Sequence, residues 1–149
     1  MQITTAETSF TGPILVTASY FLLWYFLLFF LQRQTKYRLQ KEYLARGETF
    51  DRYFGQDEQM LAVDRVVINT QEQMVPFLSA LWLHSVFVSS QHAAVAGVIY
   101  VVLRSIYPIL LGKKLSKMNP KRVYFVTLPC YLIIFYLLGS VVYHALRGA

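Results

Sequence analysis

The chain has 149 residues, 56% of them hydrophobic and only 15% charged, with a mean hydropathy of +0.41 and a net charge of +6. That length allows one domain, and the composition excludes both a disordered chain and an ordinary water-soluble core, which would be more highly charged. The lone Cys130 excludes an intrachain disulfide framework or a CxxC metal or redox motif. Ile14 to Leu31 is a run of 18 uncharged residues, long enough for a membrane-spanning helix. Gly12-Pro13 precedes it, and no basic segment or small-residue cleavage site marks it as a secretory signal, so it reads as a retained helix. The segment from Gln32 to Leu44 can extend this helix into water, rest on anionic headgroups or form a solvated loop. Gly47 and Gly55 are natural breaks.

Gln73 to Leu103 is a second uncharged run, of 31 residues. As one helix it would be about 46 Å long, against a bilayer core of about 30 Å. The polar cluster Ser89-Ser90-Gln91-His92 therefore divides it into a helix from about Asp64 to Val88, spanning at about 66–88, and one from Ala93 to Gly112. The last span is Val123 to Leu146, with Pro129 as a kink point and Gly139 as a site of close packing. The expected fold is all-α: a single four-span membrane domain, 1–149, forming a four-helix bundle.

Basic residues set the expected orientation. Arg33, Lys36, Arg38, Lys41, Arg46 and Arg52 follow the first span, and Lys113, Lys114, Lys117, Lys121 and Arg122 precede the last. The turn between the second and third helices has none. By the positive-inside rule both basic segments are cytoplasmic and both termini lie on the other side, in a bacterial inner membrane or the endoplasmic reticulum. The positive charge is thus a topological signal, and no nucleic-acid partner is implied.

Charges within spans are expensive and normally partnered. Arg65, Asn69 and Glu72 recur at i, i+4 and i+7 on one side of the second helix, and Arg104 and Tyr107 at i and i+3 on the third. Counted from the turn at Ser90, Glu72 and Arg104 differ in depth by about four residues, roughly 6 Å, so an ion pair between them is expected, within one subunit or across a subunit boundary. That pair can lock the bundle by itself. It leaves Arg65 and Asn69 unexplained, and the group as a whole suits an anionic, peptide-like ligand, because a guanidinium grips a carboxylate at two points. No Ser/His/Asp set, HExxH or phosphate loop is present. His84, His92 and His144 are scattered, with His84 read as a packing residue, and Cys130 as a small apolar one.

The pattern Arg65-x-x-x-Asn69-x-x-Glu72-x-x-x-Pro76-Phe77, followed by Gly97-x-x-Tyr100-x-x-x-Arg104-x-x-Tyr107, resembles the membrane-associated proteins in eicosanoid and glutathione metabolism, the superfamily of the microsomal glutathione transferases. The resemblance covers the second and third helices well and extends weakly to Leu128-Pro129-Cys130. It implies a homotrimer with ligand sites between subunits, open to cytoplasm and lipid. It implies glutathione as co-substrate, held at Arg65, Asn69, Glu72 and Tyr107, with Arg104 in the same polar region and Arg122 stabilising the glutathione thiolate. Leu111 stands where many members carry a second tyrosine, Val67 where a polar residue is common and Gln73 where some have tyrosine. The implied function is a glutathione-dependent transferase or peroxidase acting on lipophilic small molecules in the membrane. The alternative is a non-catalytic lipid-binding or accessory subunit of a larger membrane complex with the same fold.

Overall fold

The computed structural model describes residues 9–112 and 120–148. Lys113, Lys114 and Lys117 of the second basic segment lie outside the described residues. All described secondary structure is helical. The first helix runs without a break from Thr11 to Ala45, through α1 (Thr11–Phe26), a wider π-helical stretch (Leu27–Arg33) and α2 (Gln34–Ala45). At about 1.5 Å per residue its 35 residues measure roughly 52 Å, so it outruns a bilayer core by several turns. Gln32–Leu44 is helical, as the extension of the first helix requires. Nine residues of regular α-helix would put Lys36 half a turn round from the buried Leu27. The underwound stretch between them instead lets Lys36 and Leu39 pack inward, where Lys36 reaches Asp64 at 2.9 Å. The helix stops at Gly47, whose φ of 73° is the left-handed conformation that glycine adopts without strain.

The next helix, α3, spans Glu58–Phe87 and starts two turns earlier than the charge pattern suggests. The reason is a cap. The Asp57 carboxylate accepts from the Gln59 and Met60 amides at 2.9 and 3.1 Å and from the Tyr43 hydroxyl at 3.0 Å. The expected division falls at Val88–Ser89, where Ser89 Oγ accepts from the His92 amide and opens α4 (Ser90–Leu111). The last helix, α5, covers Pro120–Gly148.

The α4 helix packs against α1, α3 and α5, and α3 also packs against α5. An aromatic block holds the centre. Phe77 and Tyr100 stack at 3.8 Å, Tyr20 leans on both, and the Tyr20 hydroxyl donates to the Thr70 carbonyl at 2.7 Å. All three rings are fully buried. Nearby, α1 and α4 touch at Gly97, where a Cβ would come 2.6 Å from Val16 Cγ1 and 3.0 Å from Leu81 Cδ1. Gly97→Val is therefore expected to force the two helices apart and cost about 1–3 kcal/mol, seen as a lower melting temperature of the purified protein.

Thr11–Ala45, Ser90–Leu111 and Lys121–Gly148 are each long and apolar enough to cross a membrane. Their outer faces expose Leu22, Phe30, Ile109, Phe125 and Phe135, an apolar surface suited to lipid. The fourth helix, α3, is long enough, but Asp64, Arg65 and Glu72 make its first half polar. It is also the helix with the most polar side chains buried against its neighbours: Asn69, Thr70, Gln73, His84 and Ser85.

Candidate functional site

The polar centre of the bundle is Arg104. Only 1% of it is exposed, and it lies among all four packed helices. Its Nη1 donates to Asn69 Oδ1 at 2.9 Å and its Nη2 to the Asn69 carbonyl at 2.8 Å. The guanidinium carbon lies 5.3 Å from the Tyr107 ring and 6.0 Å from the Tyr100 ring. Tyr20 from α1 and Cys130 from α5 are within its electrostatic reach. Its Nε has no partner, and among the described residues no carboxylate pairs with it. The bundle thus buries a cation whose direct partners are one amide side chain and its own backbone carbonyl.

Within the chain the expected Glu72–Arg104 ion pair does not form, which leaves the contact across a subunit boundary as its remaining form. The two residues differ in direction. At about 100° per residue Asn69 and Glu72 sit about 60° apart around α3. That arc is enough to turn Asn69 inward, 8% exposed, while Glu72 stays on the outer face. Arg65, 20° from Glu72 by the same count, is exposed too. The group nevertheless converges electrostatically, because Tyr107, buried one turn beyond Arg104, lies within the fields of both Arg65 and Glu72. Of the sequence-predicted residues, Asn69, Arg104 and Tyr107 form the interior of one cluster, and Arg65 and Glu72 form its rim.

Arg122 stands apart. It is exposed in the first turn of α5, and no contact joins it to the cluster among the described residues. Its helix face is the one that buries Val126 and Cys130 at i+4 and i+8, so it lies about 12 Å along the axis from the level of Arg104. That displacement is toward the end of the bundle where Arg65 and Tyr107 lie.

Other polar groups were less visible in the sequence. Lys36 is one. It bonds the Asp64 carboxylate at 2.9 Å and the Arg52 carbonyl at 3.1 Å, while Gln32 Nε2 donates to the second Asp64 oxygen at 2.8 Å. These contacts stitch α2, the following loop and α3 together, and no local periodicity signals them. His84 is buried as a packing residue. Its Nδ1 lies 3.1 Å from the Ser89 carbonyl, so that nitrogen carries the proton. His92, just across the turn, and His144, far away in sequence, share one shallow groove with it at the α3–α4 turn, about 480 Å³ in volume. Among the described residues no group of three ligating side chains is placed to hold a metal ion. A groove of about 560 Å³ between α1 and α4, lined by Leu15, Val98, Ile99 and Val102, is apolar and does not reach Arg104.

These features define a multi-pass helical membrane protein with one buried guanidinium, that of Arg104, between its second and third long helices. Residues 14–143 match the MAPEG family, and the chain belongs to that family, the microsomal glutathione transferase-like superfamily of eicosanoid and glutathione metabolism. The family holds glutathione-dependent enzymes and also members that do not use glutathione. No individual curated protein matches the chain.

Proposed function

We propose that this protein is a glutathione-dependent transferase or peroxidase acting on lipophilic substrates in the membrane. The observation that carries the reading is the buried Arg104, a cation whose Nε has no partner and which no carboxylate of the described chain neutralises. Burying an uncompensated charge is costly, and an anionic ligand beside it recovers that cost. Arg65 and Glu72 add an outward-facing charge of each sign within reach of the same tyrosine. Glutathione has two carboxylates and one ammonium group, which this set complements. The cluster therefore fits it.

Arg65 holds a carboxylate by a two-point contact, and Glu72 takes the ammonium group. Arg104 has both Nη atoms engaged by Asn69, so its part differs from direct grip. It fixes the Asn69 amide through Oδ1, which leaves the Nδ2 hydrogens free to donate to the ligand, and it adds positive potential. Tyr107 completes the hydrogen bonding. Glutathione supplies the nucleophilic sulfur when bound, and Arg122 is the group that favours the ionised thiol. The lipophilic partner comes from the bilayer.

Arg65 and Glu72 point out of the chain's own bundle. At membrane depth such charges need cover, which supports a homotrimer whose site is closed by a neighbouring copy. The positive-inside pattern supports α3 as the fourth crossing, a site open to the cytoplasm and both termini on the opposite side. The second reading, a lipid-binding or accessory subunit, is favoured by the buried apolar Leu111, one turn past Tyr107.

Calorimetric titration of glutathione into the purified protein separates the two. Saturable heat is expected for the wild type. For Arg65→Ala, loss of about 2 kcal/mol of charge-assisted bonding weakens affinity roughly 30-fold. A folded wild-type protein that gives no heat sinks the enzyme reading and leaves the accessory one.

A further inference from the structure

Arg33, Tyr37 and Arg52 form a second cationic cluster, separate from Arg104. Tyr37, on the exposed side of α2, has the Arg33 guanidinium 5.5 Å from its ring on one side and that of Arg52 at 4.8 Å. Both guanidiniums, Arg33 foremost, hold the phenol below its ordinary range. Three neighbouring cations are matched, Lys36 with Asp64, Arg38 with Glu42 and Arg46 with Glu48, while Lys41 is isolated on the exposed side of α2. Among the described residues Arg33 and Arg52 have no carboxylate. Two like charges are thus gathered on one ring, and an anion between them relieves their repulsion.

The cluster also has a defined depth. Arg33 follows the apolar stretch that ends at Leu31, and Tyr37 is one turn, about 6 Å, further out. The loop after α2 does not stand off in water, because Lys36 binds the Arg52 carbonyl and so returns that residue to the level of the helix's exit from the bilayer. The next two residues, Tyr53 and Phe54, are 77% and 84% exposed. Their amides both bond Asp51 Oδ1 at 2.9 Å, which fixes the turn and holds the rings outward. Adjacent aromatic rings at headgroup depth beside unpaired arginines match the environment of an interfacial belt.

We propose that Arg33, Tyr37 and Arg52 bind the phosphate of an anionic phospholipid in the leaflet where α1 ends, with Tyr53 and Phe54 inserted among its headgroups. Guanidiniums grip phosphate oxygens at two points, and the flanking rings select a lipid over a free phosphate ion.

The test uses the purified protein in mixed micelles with equal phosphatidylglycerol and phosphatidylcholine, with bound lipid read by native mass spectrometry. The wild type is expected to retain the anionic lipid about tenfold over the neutral one. Arg33→Gln/Arg52→Gln should fall to near parity. Arg147→Gln, which removes a charge lying over Tyr143 in α5, should keep the wild-type preference. Parity in the wild type overturns the proposal, as does an equal fall in Arg147→Gln. Displacement of phosphatidylglycerol by millimolar inorganic phosphate would identify a soluble anion as the ligand and overturn it too. A nitroxide at position 54, in Phe54→Cys/Cys130→Ala reconstituted in vesicles, gives an independent reading. It should relax more with oxygen, which partitions into lipid, than with a water-soluble nickel chelate, and the reverse order contradicts insertion.

Discussion

Replacing Asn69 by leucine is expected to destabilise the bundle more than replacing Arg104 by methionine. Arg104→Met removes both contacts, at 2.9 and 2.8 Å, whereas Asn69→Leu removes only the first, because the second goes to the backbone carbonyl at 69, and the two strand different groups. Leucine at 69 removes the side-chain acceptor of a guanidinium that is 1% exposed and has no carboxylate partner among the described residues. A buried charge left with one backbone carbonyl as its sole acceptor costs about 3 kcal/mol. Methionine at 104 removes the charge itself and leaves an amide oxygen unpaired, at about 1–3 kcal/mol. The backbone carbonyl of Asn69 keeps its helical bond in either case. The double variant, Asn69→Leu/Arg104→Met, removes both halves, and apolar replacement of a buried polar pair is often near neutral. It should therefore melt above Asn69→Leu alone, a departure from additivity that marks direct coupling. Thermal unfolding followed by circular dichroism in detergent reads all three. If Asn69→Leu melts with the wild type, Arg104 is being satisfied by something other than Asn69.

That pair also shows where the sequence was informative and where it was not. Depth was legible. The uncharged runs and the polar break at Ser89 set the antiparallel register of α3 and α4, and the division is found there. Direction was not, because a 60° arc on α3 decides between the inside of the bundle and its rim, and a repeat of four and three residues spans both. Charge complementarity favoured Glu72 as the partner of Arg104, while the packing chose the amide that faced inward. The early start of α3 was written in Asp57, two residues ahead of the first amide it caps, but amid polar neighbours a capping aspartate looks like any loop aspartate. The stitching of α2 to α3 through Lys36 and Asp64 depends on the underwound stretch at Leu27–Arg33, for which side-chain pattern carries no signal. The meeting of three separated histidines in one groove is likewise a product of tertiary packing.

Substitution of Arg122 is expected to act on pH dependence ahead of affinity. A free thiol with a pKa of about 8.5 is only a few per cent ionised at neutral pH. Lowering it by two units requires about 2.7 kcal/mol of preferential stabilisation of the anion, within the range a single guanidinium supplies in a partly dry site. Arg122 is suited to that part by position. It extends the inward face of α5 beyond Val126, toward the end where Arg65 and Tyr107 lie, and it is bound to nothing among the described residues. The sign follows directly. A depressed thiol pKa makes the reactive form available above about pH 6.5, and Arg122→Ala returns that threshold toward about 8.5, so the acid limb of kcat/KM moves up by about two units. At pH 7 the rate falls by less than the loss of ionisation alone, since a thiolate of higher pKa is the stronger nucleophile. The loss therefore shrinks as pH rises. Arg65→Ala behaves differently, weakening glutathione binding at every pH without moving the limb. Measuring both variants across pH 6–9 against a lipophilic electrophile separates thiol activation from ligand grip. An Arg122→Ala profile parallel to the wild type would move the activating charge to another residue and leave Arg122 as a solvated cation at the mouth of α5.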